Sequence, residues 1–124
     1  MRIIGGKYKS RRIQVPSNLK ARPTTDFAKE GLFNVLNNLL DWEETTALDL
    51  FSGTGSIAFE LISRGCPYVM SVEQNQNHFN FICMAQEKLG AKELFPVKAD
   101  VLKFLQSLKQ SFDFIFADPP YDLP

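Results

Sequence analysis

From residue 45 onward, short apolar runs alternate with segments whose apolar positions recur every three or four residues. The runs at 47–51, 68–73, 94–97 and 112–118 have the length and composition of buried strands. Between them, 56–64, 75–89 and 101–109 carry helical spacing, and Gly65 and Gly90 stop the first two. The expected inward positions are Phe79, Ile82, Cys83 and Leu89 within 75–89, and Val101, Leu102, Leu105 and Leu108 within 101–109. Upstream, Asp26 is placed to cap a further helix, running to about Leu40, with Phe27, Gly31, Leu32, Val35, Leu36, Leu39 and Leu40 on its apolar face. Strands alternating with helices of this length predict right-handed crossovers and a parallel sheet covered on both faces. The fold class is α/β.

Residues 1–22 break this rhythm. Ile3-Ile4 and Ile13-Gln14-Val15 flank Gly5-Gly6 and the basic run from Lys7 to Arg12, which predicts a small β-hairpin or two short strands. Pro16 and Pro23 bracket a turn-rich link to the body, 23–124. The formal net charge of zero hides a segregation. Residues 1–30 carry eight basic side chains against Asp26 and Glu30, and the acidic excess lies in the rest. A basic arm of this kind meets phosphate in many proteins; the alternative is a solvated, charged hairpin.

Composition narrows the class. At 124 residues the chain makes one compact domain or part of one, and 44% hydrophobic with 23% charged residues excludes wholesale disorder. No apolar run reaches the length of a membrane helix, and the start lacks the apolar stretch of a secretory signal, so a cytoplasmic protein is expected. Cys66 and Cys83 are too few for a disulfide framework and lack metal-ligand spacing, so both are expected as reduced, packed thiols with no metal. Trp42 is expected to pack, and His78 to lie solvated on a polar helix face. No Ser/His/Asp or Cys/His pairing points to covalent catalysis.

The first chemical constellation is Asp49-Leu50-Phe51-Ser52-Gly53-Thr54-Gly55-Ser56-Ile57-Ala58. Glycines after a strand let a ligand approach the backbone. Gly53-x-Gly55-x-x-Ala58 with Glu73 twenty residues after Gly53 fits a dinucleotide fingerprint read loosely. Electrostatics favours another cofactor. A dinucleotide brings an anionic pyrophosphate, beside which Asp49 is unhelpful, whereas S-adenosylmethionine brings an ammonium and a sulfonium. Glu73 can accept both ribose hydroxyls, and Asp100, after the third strand, can accept from an adenine amine or cap the following helix.

The second constellation is Asp118-Pro119-Pro120-Tyr121, at the end of the fourth strand and next to the first in the expected order. Two prolines remove two amide donors and leave carbonyls facing the pocket. Asp118 and a proline carbonyl can then accept from an exocyclic amine, and Tyr121 offers a stacking face for a base. A strand-terminating Pro-Pro turn is the plainer alternative.

These motifs resemble the cofactor and catalytic motifs of class I amino-methyltransferases. The amino-terminal residues Arg2-Ile3-Ile4-Gly5-Gly6-Lys7-Tyr8-Lys9-Ser10-Arg11-Arg12, with Arg22-Pro23-Thr24-Thr25-Asp26 and Glu30-Gly31-Leu32-Phe33-Asn34, are similar to the RsmD-like family of bacterial small-subunit (16S) ribosomal RNA guanine-N2 methyltransferases. The resemblance covers essentially the whole chain. It implies a Rossmann-like sheet and methyl transfer from S-adenosylmethionine to the exocyclic N2 of one guanine. Asp49, Phe51, Gly53, Gly55, Glu73 and Asp100 would hold the cofactor, and Asp118, Pro119, Pro120 and Tyr121 the reacting amine. Lys7, Lys9, Arg11, Arg12 and Arg22 would meet ribosomal RNA or the small subunit. Family members continue for several elements past the Asp-Pro-Pro-Tyr motif, so a domain truncated after its fourth strand is expected. Rival readings are an adenine-N6 methyltransferase on DNA or RNA, a non-catalytic RNA-binding fragment and, more distantly, an NAD-dependent oxidoreductase.

Overall fold

The computed structural model describes residues 1–19 and 25–120. Four parallel strands, β1 (Thr46–Leu50), β2 (Tyr68–Glu73), β3 (Leu94–Lys98) and β4 (Phe114–Ala117), form one sheet in the order β3-β2-β1-β4. Between them run α2 (Ser56–Ser63), α3 (Gln76–Leu89) and α4 (Val101–Ser107), and α1 (Asp26–Leu36) precedes the sheet. In register, Asp49 lies opposite Ser71 on β2 and Phe116 on β4, which aligns the carboxyl ends of β1, β2 and β4. The chain reverses direction about β1, and in open α/β sheets the crevice at such a reversal is where ligands bind.

Two apolar clusters follow from the alternation of side chains across the strands. Ala47, Val69 and Leu94 face α2, α3, α1 and the amino-terminal arm, while Leu48, Leu50 and Val72 face Val101, Phe104 and Leu108 of α4. The sheet is therefore covered on both faces, as the alternation predicts. α2 is buried along its whole length, because the arm covers the side turned away from the sheet.

The helices rotate relative to the sequence reading. α1 buries Lys29, Phe33 and Leu36, while Phe27 (89% exposed), Val35 (61%) and Leu39 (72%) face outward. Thr25, rather than Asp26, is its cap: the Thr25 hydroxyl accepts from the Ala28 amide at 3.0 Å. The helix ends at Leu36 instead of about Leu40, and Asn37 beyond it accepts from Trp42 Nε1 at 2.8 Å. Trp42 packs on Phe33 at 5.6 Å between ring centroids. In α3 the buried set is Phe81, Ile82, Ala85 and Leu89, with Phe79 and Cys83 only half-buried. In α4 Val101 is buried, with Phe104 and Leu108 packed beside it, and Leu102 and Leu105 are exposed. Cys66 is buried in the core, and burial pushes its thiol up to about 12.

The orientation of α1 has an electrostatic cause. Lys29, 1% exposed, lies 3.4 Å from Glu60 Oε1 of α2, itself fully buried. Lys29 Nζ also donates to Ser56 Oγ at 2.9 Å and to the Arg2 carbonyl at 2.5 Å. Burial lowers the Lys29 pKa, and the Glu60 carboxylate opposes that shift. A lysine taken out of water needs such partners, so α1 turns Lys29 inward at the expense of Phe27 and Val35.

Residues 1–13 form a small antiparallel hairpin that the same buried carboxylate anchors on α2. Glu60 accepts from the Ile4 amide at Oε1 and from the Gly5 amide at Oε2, both at 2.9 Å, and Arg64 Nε donates to Oε2 at 2.9 Å. The Ile4 and Gly5 amides, on the way into the turn, are thus committed to α2. On either side of the antiparallel Arg2–Arg12 bridge, Met1 N and Ile13 N each donate to the other's carbonyl at 2.9 Å, Ile3 N donates to the Arg11 carbonyl at 3.0 Å and Ser10 N to the Ile3 carbonyl at 2.8 Å, around a 3-10 turn, Gly6–Tyr8. Gly6, at φ +79°, lies so close that a Cβ would fall 1.8 Å from the Ser63 carbonyl oxygen. Ile3 and Ile13 insert into the core beneath.

Removing one member of a buried charged pair strands the other, which costs about 3–5 kcal/mol. Glu60→Ala should therefore lower the urea midpoint by that equivalent and make the arm protease-sensitive. A loss below about 1 kcal/mol, measured by equilibrium unfolding, would contradict the anchoring role of Glu60.

Candidate functional site

The backbone turns sharply where β1 ends. Phe51 (φ +57°), Gly53 (φ +58°) and Gly55 (φ +79°) all adopt left-handed conformations, which a bulky residue such as Phe51 rarely accepts. Side chains brace the loop against both strands. Ser52 Oγ donates to the Asp49 carbonyl at 2.8 Å, and Ser71 Oγ of β2 donates to Ser52 Oγ at 2.7 Å. A Cβ on Gly55 would meet Phe59 Cε2 at 3.0 Å and Ile82 Cγ1 at 3.2 Å, so this glycine serves close packing. Gly53 differs: a Cβ there would meet nothing within 4 Å, so its backbone faces open space.

Glu73 closes the loop from β2. Its Oε1 accepts from the Gly53 amide at 2.7 Å, and its Oε2 accepts from the Asn75 amide at 2.8 Å. His78 Nδ1 lies 3.8 Å from Oε2, so His78 is partly buried beside Glu73 instead of solvated. Its position follows from the cap at Asn75, whose side chain accepts from the His78 amide and sets the first turn of α3 against the loop. The Asn75 signal was available in the sequence; the proximity to Glu73 depends on the register of β2.

Asp49 lies beneath the loop and is 1% exposed. Its Oδ2 finds no hydrogen-bond donor among the described residues. Burial raises its pKa to about 7; Glu73 and Asp118 push in the same direction, against hydrogen bonding from Ser52 and Ala58. Three acids, Asp49, Glu73 and Asp118, therefore share one electrostatic neighbourhood. An unpartnered buried carboxylate oxygen in such surroundings suits a cationic ligand group and opposes an anionic one.

The remaining sequence candidates divide. Asp118, Pro119 and Pro120 are exposed just past β4, whereas Tyr121 lies outside the described residues. Asp100 caps α4, its Oδ1 accepting from the Lys103 amide at 3.1 Å. Of the arm cations, Lys7 forms an ion pair with Glu93, and Arg11 Nη2 donates to the Lys88 carbonyl at 3.4 Å. Lys9 and Arg12 are exposed, and Arg22 lies outside the described residues. A cleft of about 820 Å³ separates the arm from the glycine loop, with Arg2, Arg12, Ile13, Thr25, Thr54 and Ser56 among its walls. Arg2, not a sequence candidate, lies 3.4 Å from Asp26 there. Among the described residues no cluster of His, Cys, Asp or Glu is placed to hold a metal, and no helix is long and apolar enough to cross a membrane.

A parallel sheet in this order, with a glycine loop after β1 and an acid ending β2, is a Rossmann-like domain, and the relatives and solved structures it matches make it one of the methyltransferase type. Residues 1–123 match the family described as Conserved hypothetical protein 95, and the chain belongs to it. It is 32% identical over 121 residues to the ribosomal RNA small subunit methyltransferase D of Buchnera aphidicola, covering 98% of this chain and 61% of that protein. To the protein of the same name in Escherichia coli it is 30% identical, covering 98% and 60%. The solved structure of the Escherichia coli protein yhhF superposes with a TM-score of 0.87 at 30% identity, covering 98% of this chain and 65% of that one. The chain thus spans about three fifths of the length of these curated relatives.

Asp49 makes stability depend on pH. The unfolded carboxyl releases its proton near 3.8, whereas the folded one holds it to about 7. Across that window the folded state binds more protons, so stability falls as pH rises, by up to about 4 kcal/mol, and levels off above it. Urea midpoints of the ligand-free protein should therefore decline from pH 5 to 8 relative to those of Asp49→Asn. A constant difference between the two proteins would show that Asp49 ionises freely.

Proposed function

We propose that this chain carries the cofactor site of an S-adenosylmethionine-dependent methyltransferase that modifies the exocyclic N2 of a guanine in small-subunit ribosomal RNA. The observation that carries the reading is the buried, unpartnered Asp49 Oδ2 beside an open glycine loop. It suits a ligand ammonium, and with Glu73 and Asp118 nearby it disfavours the pyrophosphate of a nicotinamide dinucleotide. The names of the relatives support ribosomal RNA as the substrate, and a cytoplasmic location goes with it.

When bound, S-adenosylmethionine supplies an electrophilic methyl group on a sulfonium. Asp49 holds the ammonium at the methionine end. Gly53 gives the loop its close approach to the cofactor, and Gly55 lets the loop pack against Phe59 and Ile82 so that this approach is held, with Phe51 at the turn. Glu73 accepts from the ribose hydroxyls with lone pairs left after the Gly53 and Asn75 amides, since each carboxylate oxygen has room for a second donor. Asp100 accepts from the adenine amine through the oxygen not used in capping. Asp118 and the Pro119 carbonyl orient the guanine amine, Pro120 fixes the backbone, and Tyr121 stacks on the base. Lys7, Lys9, Arg11, Arg12 and Arg22 meet the RNA phosphates. Rate acceleration comes mainly from orientation, worth on the order of 7–11 kcal/mol in the most favourable cases.

Calorimetry with S-adenosylhomocysteine tests the cofactor site. Affinity should rise with pH through 7 as Asp49 ionises, and Asp49→Asn should abolish that rise. Preference for NADH would overturn the reading. Glu73→Ala should weaken binding about tenfold or more.

Asp118→Ala should leave cofactor affinity nearly intact while tritiated-methyl transfer to undermethylated small subunits collapses. Equal losses would assign Asp118 a structural role. Digestion of the product to nucleosides should release N2-methylguanosine, and N6-methyladenosine in its place would favour the adenine reading.

A further inference from the structure

The RNA arm and the cofactor loop draw on the same buried pair. Glu60 binds the Ile4 and Gly5 amides of the arm, and Lys29 binds the Arg2 carbonyl. Through its third contact Lys29 donates to Ser56 Oγ at 2.9 Å, on the first residue of α2 and immediately after Gly55 of the loop. The arm pairs with no strand of the sheet among the described residues. Its placement over the loop therefore depends on the core packing of Ile3 and Ile13 and on contacts with α1, α2, Lys88 and Glu93, and among the described residues Lys29 joins the arm backbone to the start of α2.

The cleft between arm and loop gives this junction a ligand. Arg2 and Arg12 line it from the arm, and Thr54 and Ser56 line it from the loop. Arg2, which lines the cleft and pairs there with Asp26, thus has its own carbonyl accepting from Lys29. A phosphate backbone drawn to Arg2 and Arg12 bears on the contacts that set the Ser56 end of the loop.

We propose that Lys29 is a positioning residue that couples RNA on the arm to cofactor in the loop, through the Arg2 carbonyl and Ser56 Oγ. The proposal rests on the function proposed above. Each ligand then tightens the binding of the other by the same factor, because coupling between two sites is reciprocal. A purely structural latch would stabilise the fold without making the two affinities depend on each other.

The test is a binding cycle on the full chain, with S-adenosylhomocysteine and a single-stranded uridine 20-mer as probes. Each affinity is measured with and without a saturating amount of the other. The wild type should show a coupling of at least about fivefold, equal in both directions. Ser56→Ala, which keeps the Lys29–Glu60 pair, should bring the factor close to one. Lys29→Met should do the same, and Lys29→Arg should restore part of it. If Lys29→Met does not fold, Ser56→Ala decides the matter by itself. A wild-type factor of one, or an unchanged factor in Ser56→Ala, overturns the proposal while leaving the function intact. Failure of the wild type to bind either probe overturns the function and this inference together.

Discussion

The Glu60 carboxylate organises the half of the molecule that sequence pattern describes least well. It lies fully buried on α2, takes two arm amides and the Arg64 guanidinium, and faces the Lys29 ammonium. Burying a carboxylate is unfavourable unless its lone pairs are filled, and here several donors from three segments fill them. The arm and α1 are thereby fixed relative to α2. The arm hairpin is held by the amides of its turn, α1 turns its lysine inward, and Phe27, Val35 and Leu39, which periodicity assigns to the core, are displaced to the surface.

The second constraint is electrostatic and lies across the sheet ends. Asp49 is held in an apolar environment with one oxygen unsatisfied, close to two further acids. Packing does not reward that arrangement, because burial penalises the charged form of the carboxyl. Unfavourable local choices of this kind concentrate where a fold meets its ligand. The same holds for Phe51 in a left-handed conformation, which the Ser52 and Ser71 hydroxyls and the Glu73 carboxylate help to keep in place.

The sheet was legible because its signals are local. Runs such as 68–73 between glycine-stopped helices specify parallel strands whatever lies around them, and the strand order places the glycine loop beside the end of β4. The loop and Glu73 were legible for the same reason, since both lie at strand ends. Lys29 was not. It reads as one more charge on a basic segment, and its partner stands thirty-one residues away on a helix with no charge pattern pointing back to it. The orientation of α1 was lost with it, because Phe27 and Val35 satisfy a helical period as well as Phe33 does; of the expected face only Leu36 is buried. His78 was misread because a helix wheel takes no account of the strand end that the first turn of α3 meets.

Charge segregation also means something different once the pairs are drawn. Of the cations in the first thirty residues, Lys29 is neutralised by Glu60, Lys7 by Glu93, and Arg2 is shared with Asp26. Among the described residues the surface charge of the arm is therefore narrower than its composition suggests, centred on Lys9, Arg11 and Arg12. The loop beyond the cleft is acidic, through Asp49, Glu73 and Asp118. A polyanion approaching this face is attracted at the arm and repelled at the loop. Its phosphates are kept outside, and only a group that is neutral or cationic gains by moving inward. Under the function proposed above, that group would be a base turned away from its backbone, and the distribution of charge would select which part of the polymer reaches the loop before any specific contact is made.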